Sequence, residues 1–290
     1  MNDKSENLIS VIIPCFNSGA TIKKTIDSVQ TQTWENKEII IINDGSNDKE
    51  TTNILKEIEN VKVINQENKG LPSARNKGVE NSLGSFLLFL DADDWLEHNA
   101  LELMYFELIS NRDKNFVFAD IKLEGESNQI ISKGYNFFEQ LFLNQIPYSI
   151  FIKKKDWQSV GGYDEKMQLG YEDWEFNIRL GKKGFNGLRV KIPLFHYTVN
   201  KSGMLLSKSS KYHAKIWRYI REKHKSLYKP FSLLKIWLKW KDQVSTYPLF
   251  IFLICFPFVK IFPDKLISIL FIFFRNIKWF FVRNNLKKTF

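Results

Sequence analysis

The chain has 290 residues, of which 44% are hydrophobic and 26% are charged, which excludes a disordered polypeptide and allows one large domain with an appendage. Its two cysteines, Cys15 and Cys255, are far apart and have no histidine or cysteine nearby at metal-ligand spacing, so neither a disulfide framework nor a zinc site is predicted. A reducing compartment fits best, and the polar amino-terminal residues do not have the pattern of a secretory signal.

The formal net charge of +10 is unevenly distributed along the chain. Residues 1–200 contain 23 Lys and Arg against 29 Asp and Glu, whereas residues 201–290 contain 19 against 3, together with 20 of the 43 aromatic residues. An acidic surface is a poor partner for nucleic acid, while a basic aromatic tail suits the anionic headgroups of a membrane. We therefore predict a globular domain over residues 1–205 and a helical, membrane-associating tail over residues 206–290.

Short β-branched runs alternate with amphipathic stretches over the first 120 residues, as in β-α-β units around a largely parallel sheet. Residues 20–29 place their apolar side chains on one helical face, and Pro72 suits the first position of a helix that continues to Val79. The predicted fold is a Rossmann-like, doubly wound α/β sheet, which binds ligands beyond the carboxyl ends of its strands. The predicted strands are Leu8–Ile13, Glu38–Asn43, Val61–Asn65, Ser85–Leu90 and Phe116–Asp120.

Three carboxylates follow the fourth predicted strand within four residues, in the segment Leu90-Asp91-Ala92-Asp93-Asp94. Carboxylates this close repel one another unless hydrogen bonds or a cation neutralise them, and Mg²⁺ or Mn²⁺ bridging to a diphosphate is a common solution. The alternative is a solvated acidic turn in which Asp94 caps the next helix. Metal binding is favoured because the segment follows five apolar residues and lies at the predicted ligand edge.

Two further turns at the same edge carry polar residues. After the second strand, Asp44 can accept a hydrogen bond from a base edge, the alternative being an ordinary turn in which Ser46 or Asp48 caps the next helix. No Gly-x-Gly-x-x-Gly follows the first strand and no P-loop motif occurs, which argues against a dinucleotide cofactor.

The third predicted strand is followed by a glycine turn and a helix that carries a cation. Gly70 forms the turn, and Arg75 on the helix is placed to reach a nucleotide or an acidic neighbour. The alternative is a surface arginine paired with Glu67 or Glu80.

Taken in order, these motifs resemble glycosyltransferase family 2 over roughly residues 8–205. The resemblance implies the GT-A nucleotide-sugar-binding fold, inversion of configuration at the sugar carbon, a UDP-sugar donor and a Mn²⁺ or Mg²⁺ cofactor. The matching segments are Ser10–Asn17, Asp44–Ser46, Gly70 with Ala74–Asn76, Asp91–Asp94, Gly161–Asp164 and Glu172–Asp173.

The resemblance also implies roles for individual residues. Phe16 is expected against the uracil ring, and Asp91 near the ribose. Asp93 is expected to hold the metal together with Asp91. The full set of expected nucleotide-binding residues is Pro14, Phe16, Asn17, Asp44, Ser46, Gly70, Arg75, Asp91 and Ala92, with Asp44 and Arg75 at the polar edge of the base.

The resemblance also implies that Glu172 and Asp173 are the catalytic pair, with Asp173 as the general base. Both residues precede a helical pattern, and acids are favoured at helix starts for electrostatic reasons alone, so an ordinary cap is the alternative. Where the family often has an arginine and a histidine, this chain has Thr198 and Asn200. His196 is therefore a candidate phosphate contact or metal ligand, the alternative being a structural histidine.

Aromatic and basic residues are interleaved from Tyr212 to Lys241, a pattern that predicts a membrane interface. Residues 243–259 form an uncharged run of 17 that is interrupted by two prolines, at the lower limit of the roughly 17 to 25 residues that span a bilayer. We predict in-plane or re-entrant helices on the cytoplasmic face of the cell membrane, peripheral or monotopic. The alternatives are a helical subdomain packed on the first domain, and nucleic-acid binding, against which the long apolar runs argue.

The resemblance implies transfer of a single sugar to a glycan or lipid-linked acceptor in cell-surface polysaccharide assembly. Single transfer is expected because the Gln-x-x-Arg-Trp motif of processive members is missing from the sequence. A catalytically inactive scaffold is the alternative, but the family's acidic residues are present. No nucleic-acid partner is expected.

Overall fold

The computed structural model describes residues 6–125, 128–199 and 212–243, which form a mixed sheet covered by helices on both faces. The strands are β1 (Ile9–Cys15), β2 (Lys37–Asp44), β3 (Lys62–Gln66), β4 (Phe86–Phe89), β5 (Trp95–Leu96), β6 (Phe116–Gly125), β7 (Ile130–Ile131), β8 (Phe151–Lys153) and β9 (Gly187–Val199). The helices are α1 (Gly19–Gln30), α2 (Lys49–Glu57), α3 (Leu71–Glu80), α4 (Ala100–Ser110), α5 (Phe137–Gln140), α6 (Lys154–Ser159), α7 (Glu172–Lys182), α8 (His213–Lys223) and α9 (Pro230–Trp240).

The sheet has the order β3-β2-β1-β4-β8-β6-β9-β5, and β7 pairs with β6. β1 runs parallel to β2 and β4, and β2 runs parallel to β3, whereas β8 is antiparallel to both of its neighbours. All five predicted strands are present, and the prediction of a doubly wound mixed sheet is confirmed. The carboxyl ends of β1, β2, β3 and β4 therefore meet at one edge, where the polar turns lie.

The central strands are apolar on both faces because each face is covered by helices. In β1, Val11 and Ile13 are buried in a cluster with apolar residues of α1 and α4, while Ile12 points into a second cluster with α3 and α7. Leu88 and Leu87 of β4 divide in the same way between the two clusters. This alternation follows from the two-residue period of a strand, and it fixes which side chains reach each helical layer.

Helices α8 and α9 belong to the second of these clusters. Trp217 is fully buried, and Tyr228 and Trp240 are each 8% exposed. A membrane-interface role is therefore wrong for these three aromatic residues, and the alternative of helices packed on the first domain describes them. The aromatic face of an amphipathic helix is apolar in either setting, so the sequence pattern alone did not distinguish protein from lipid.

The predicted domain boundary at residues 205 and 206 lies outside the described residues. The uncharged run at 243–259 also lies outside them, apart from residue 243. Within residues 6–125, 128–199 and 212–243, no helix has the length and apolar character needed to cross a bilayer.

Candidate active site

The turns after β1 and β2 are joined by Asn17. Its backbone N–H donates to Ser46 Oγ at 3.0 Å, and its side-chain Oδ1 accepts from the backbone N–H of Asn47 at 2.9 Å. Asn17 adopts a left-handed conformation with φ of 50°, which asparagine tolerates better than most residues. Pro14 is buried in β1, whereas the ring of Phe16 is 48% exposed at the sheet edge. The turn thus presents an aromatic face to solvent where a base was predicted to lie.

The Asp44 carboxylate at the end of β2 organises the turn that leads into α3. One oxygen accepts hydrogen bonds from Gln66 Nε2 at 2.7 Å and the backbone N–H of Lys69 at 2.8 Å, and the other accepts from the backbone N–H of Gly70 at 2.9 Å. Gly70 has φ of 89°, a conformation that glycine adopts without steric cost. Because two carboxylate oxygens offer about four acceptor positions, Asp44 retains capacity for a ligand.

Arg75 joins two acidic motifs that are far apart in the sequence. Its side chain is 1% exposed, and its guanidinium donates to the carboxylates of Asp91 and Glu172, each at 2.6 Å. The surface pairing with Glu67 or Glu80 that was considered as the alternative is therefore wrong. The Arg75 guanidinium holds the carboxylates of Asp91 and Glu172 together and is not directed toward solvent. Its contact with the base of a nucleotide stays a prediction.

The three aspartates after β4 have different environments. Asp94 is 2% exposed, and its carboxylate accepts hydrogen bonds from the Tyr148 hydroxyl and from the backbone N–H of Thr198. Its predicted alternative role as a helix cap is wrong, because α4 begins at Ala100 after Asn99. Burial, together with the charges of the neighbouring aspartates, raises the pKa of Asp94 well above its ordinary value.

Asp91 and Asp93 face the open side of this turn. Asp91 is 24% exposed and paired with Arg75, whereas the Asp93 side chain reaches solvent. Partial desolvation of its carboxylate by the surrounding protein, followed by repulsion from Asp91, raises the pKa of Asp93 to about 6. Ala92 between them is buried, and its carbonyl accepts hydrogen bonds from Thr21 Oγ1 and Thr25 Oγ1 at 2.8 and 3.0 Å, which fixes the turn on α1.

Glu172 and Asp173 begin α7, as predicted, and they differ in exposure. Glu172 is 4% exposed and held by Arg75, while Asp173 is half-buried and accepts a hydrogen bond from Asn144 Nδ2 at 2.7 Å. Burial raises the pKa of Glu172 to about 7 although Arg75 acts in the opposite direction. Burial also raises the pKa of Asp173. Asp173 is the more accessible of two carboxyl groups whose basicity is increased.

His196 lies in β9 and is engaged by two glutamates. Its Nε2 lies 2.7 Å from Glu97 Oε1 and its Nδ1 lies 2.7 Å from Glu124 Oε1, while its ring stacks on Trp95. Both ring nitrogens of His196 are therefore engaged by glutamates, and neither is free to bind a metal ion in this arrangement. Across the described ranges, no group of three or more His, Cys, Asp and Glu side chains is arranged to hold a metal ion.

Sequence reasoning missed three residues that line this region, namely Tyr148, Asn144 and Tyr197. Tyr148 hydrogen-bonds Asp94 and lies 5.0 Å from the Arg75 guanidinium. Burial and the charges of several acidic residues, Asp94 first among them, raise the pKa of Tyr197. Tyr148 and Asn144 lie in the irregular segment after α5, where no periodicity marks a side chain that points inward.

The topology defines a doubly wound α/β protein in which the polar turns and the aspartates after β4 lie at the carboxyl ends of β1, β2 and β4, the edge where such sheets bind ligands. A family model described as Glycosyl transferase family 2 matches residues 10–174. The chain belongs to glycosyltransferase family 2, and its mixed sheet is the GT-A fold.

Two similar proteins illustrate the range of the family. The glycosyltransferase GlyA of Streptococcus pneumoniae is 39% identical over 222 residues, which cover 70% of this chain and 30% of that protein. A chondroitin synthase of Pasteurella multocida is 29% identical over 185 residues, covering 61% of this chain and 19% of that protein. The chain thus spans less than a third of the length of either relative.

Solved structures share the fold at lower sequence identity. S. aureus TarS 1-349 in complex with UDP-GlcNAc superposes with a TM-score of 0.62 at 18% identity, covering 73% of this chain and 65% of that one. At this identity the likeness supports the architecture alone.

Proposed function

We propose that this protein transfers one sugar, with inversion, from a UDP-sugar to a hydroxyl of a glycan or lipid-linked acceptor in cell-surface polysaccharide assembly. The observation that carries the proposal is that Arg75 forms ion pairs with both Asp91 and Glu172. These contacts join the acidic turn after β4 to the start of α7. Donor-binding and base candidates are thereby held at one edge of the sheet. The named activities of relatives such as chondroitin synthase support the class of product.

A UDP-sugar donor is supported by the turns after β1 and β2. Phe16 offers an exposed ring on which a base can stack, and Asp44 retains acceptor capacity for a base N–H. TarS, which shares the fold, was solved with UDP and with UDP-GlcNAc. A pyrimidine nucleotide lying across these turns would direct its diphosphate toward the aspartates after β4.

A divalent cation fits the chemistry of the acidic turn. Mg²⁺ is commonly bound by one or two carboxylates together with substrate phosphates and water, rather than by a cage of protein ligands. Asp93 suits this role because its side chain reaches solvent and no hydrogen bond to its carboxylate from another of the described residues is found. Asp91 would assist, and bound Mn²⁺ or Mg²⁺ would stabilise the negative charge on the departing diphosphate.

The residues of α7 supply the proton chemistry. We infer that Asp173 removes the proton of the acceptor hydroxyl while that oxygen bonds to the anomeric carbon and the bond to the diphosphate breaks. Glu172 is less suited because Arg75 occupies its carboxylate and the side chain is 4% exposed. Asp173 is half-buried, which leaves an approach for an acceptor. Inversion follows from a single in-line displacement.

A membrane location on the cytoplasmic face is also proposed, and one face of α9 supports it. Phe231, Leu234 and Leu238 are 82%, 51% and 52% exposed, and their spacing of three and four residues places them on one side of the helix. Exposed Lys235 and Lys239 flank them. An apolar stripe bordered by lysines suits an anionic lipid surface, and the chain continues from α9 into further apolar and basic sequence.

The donor and cation are tested together by calorimetry on the full chain with UDP-, GDP- and dTDP-sugars in the presence of Mn²⁺. We expect UDP-sugars to bind most tightly, EDTA to weaken that binding, and Asp93→Ala to abolish its metal dependence. Asp113→Ala, which removes an exposed aspartate at 72% side-chain exposure, is the matched control. UDP affinity that is unchanged by EDTA and by Asp93→Ala would refute the metal assignment, and preference for another nucleotide would refute the donor.

A further inference from the structure

A chain of side-chain amides ends at the Asp173 carboxylate. Asn144 Nδ2 donates to Asp173 Oδ2 at 2.7 Å, while Asn144 Oδ1 accepts from Gln140 Nε2 at 3.0 Å and from Asn177 Nδ2 at 3.3 Å. Gln140 is fully buried, and Asn177 is 1% exposed. Water therefore has little access to the inner part of the chain, and its hydrogen bonds are correspondingly strong.

A backbone group sets the direction of these hydrogen bonds. The N–H of Gln145 donates to Gln140 Oε1 at 2.8 Å, and a backbone N–H can only donate. The Gln140 oxygen must face Gln145, so its amide NH₂ faces Asn144. The Asn144 oxygen then faces Gln140, and the Asn144 NH₂ faces Asp173. Flipping the Asn144 amide would bring its oxygen against the carboxylate and its NH₂ against two other NH₂ groups.

We propose that Asn144 is a positioning residue for Asp173, which it holds in orientation and keeps ionised by donating a hydrogen bond of fixed polarity. The inference rests on the proposed function, in which Asp173 is the general base. A donor to the ionised form of a carboxyl group favours that form, so Asn144 opposes the effect of burial. Asn144 therefore favours the carboxylate form of Asp173, which is the form that can accept the proton of the acceptor hydroxyl.

Other groups also act on Asp173, and Asn144 differs from them in being uncharged and unable to titrate. Burial raises the pKa of Asp173, whereas Arg75 and then hydrogen bonds, that of Asn144 included, act in the opposite direction. Replacing Asn144 with an apolar residue therefore changes the base without changing the net charge of the site. The titratable and charged groups that interact electrostatically with Asp173 are Arg75, Asp91, Tyr163, Glu172 and Tyr197.

The test is the pH profile of kcat for sugar transfer by the full chain. Asn144→Ala removes the donor, and we expect the midpoint of the acidic limb to rise by about one pH unit, with about tenfold lower kcat below it and little change in donor KM. Asn144→Asp, which keeps the shape but places a carboxylate opposite Asp173, should raise the midpoint further. Lys133→Ala is the matched control, because Lys133 Nζ contacts the Asn144 backbone carbonyl at 3.0 Å and not the side-chain amide.

An acidic limb at the wild-type pH in both folded Asn144 variants would overturn the proposal, whatever the size of kcat. Near-UV circular dichroism establishes folding, and the isosteric Asn144→Asp variant serves if Asn144→Ala fails to fold. The same assay on Asp173→Asn distinguishes failure of the positioning role of Asn144 from failure of the assignment of Asp173 as the base. If Asp173→Asn is inactive and the Asn144 variants titrate normally, only the positioning role fails. If Asp173→Asn transfers sugar normally, the base assignment itself fails.

Discussion

The guanidinium of Arg75 donates a hydrogen bond to the carboxylate of Glu172 at 2.6 Å across 97 residues of sequence, and both side chains are shielded from water. The same guanidinium reaches Asp91, so one buried cation balances two acids. Removing the cation leaves both carboxylates without a partner in a medium that stabilises charge poorly.

Arg75→Met should therefore lower the free energy of unfolding by on the order of 3–5 kcal/mol at pH 7.5. The deficit should shrink toward pH 5, because the carboxylates can then take up protons. Urea denaturation at the two pH values measures both effects. Arg112→Met, at an exposed arginine, is the control for loss of one positive charge. Equal stability of Arg75→Met and the control would show that the ion pairs contribute nothing.

The buried carboxylate of Glu175 in α7 is the centre of another group of charged side chains, which attaches α8 to α7. Burial disfavours its ionisation, but the hydrogen bond from His224 and the charge of Arg179 outweigh this and lower the pKa of Glu175 from 4.5 to about 2. Because the folded-state pKa is depressed, the stabilisation is complete above the unfolded value of 4.5 and is lost as pH falls toward 2.

Glu175→Gln should consequently be less stable than the wild type at pH 7, by on the order of 3 kcal/mol. The difference should decrease steadily as pH falls below 4.5, the ordinary value for this side chain. Denaturant midpoints measured from pH 7 to pH 3 check this, with Glu222→Gln on the exposed side of α8 as the control. A difference that stays constant over this range would contradict the assigned cause.

The long apolar strands of the fold could be predicted from sequence because runs such as Ile39–Ile42 are apolar on both faces, which only a buried strand requires. The two- and three-residue strands β5, β7 and β8 could not be predicted from sequence, because the conformation of each depends on its pairing with β9, β6 and β4, respectively. Helices α8 and α9 show a related limit, since an amphipathic pattern identifies an apolar face but not what covers it.

For the candidate site as well, the location of a motif could be predicted from sequence but its tertiary contacts could not. The acidic turn at Asp91 and Asp93 could be located from its position after a predicted strand, whereas Asp173 was identified by the family resemblance, because its position at a helix start fits an ordinary cap equally well. The contacts between motifs could not be predicted, because the pairing of Arg75 with Glu172 depends on tertiary structure rather than on local spacing. Asn144 carried no local signal at all, since an asparagine in an irregular segment is usually a surface residue.

The exposed face of α9 gives a test of membrane binding that leaves the buried residues of the helix intact. Truncation before α8 would remove Trp217 from the core and would unfold the domain. Replacing both Leu234 and Leu238 with Glu should instead leave the fold unchanged and reduce partitioning of the full chain onto anionic liposomes at low salt. Sedimentation with liposomes measures the bound fraction.

Leu83→Glu is the control for this experiment, because Leu83 is 72% exposed in the turn after α3. Equal binding of the α9 double variant and the wild type would show that this face does not contact lipid. If the wild type does not bind liposomes but binds single-stranded nucleic acid with a strong salt dependence, the membrane proposal fails and nucleic acid is the partner of the basic tail.

Asp173→Asn tests the proposed base directly. The amide can still accept the hydrogen bond from Asn144 through its oxygen, but it cannot take up a proton at neutral pH. We expect donor binding near that of the wild type and a loss of transfer of about 10²-fold or more, the usual scale for a general base. Calorimetry with UDP and a steady-state transfer assay must therefore separate binding from turnover.

Glu172→Gln is the companion variant, and its expected defect is different in kind. It removes the carboxylate that Arg75 holds at 2.6 Å, so stability should fall while the proposed base, the Asp173 carboxylate, is retained. Loss of folding in Asp173→Asn would indicate a role in starting α7 rather than in catalysis. If Glu172→Gln abolishes transfer in a folded protein while Asp173→Asn turns over normally, the base is Glu172, and the hydrogen bond from Asn144 then serves the helix instead of the reaction.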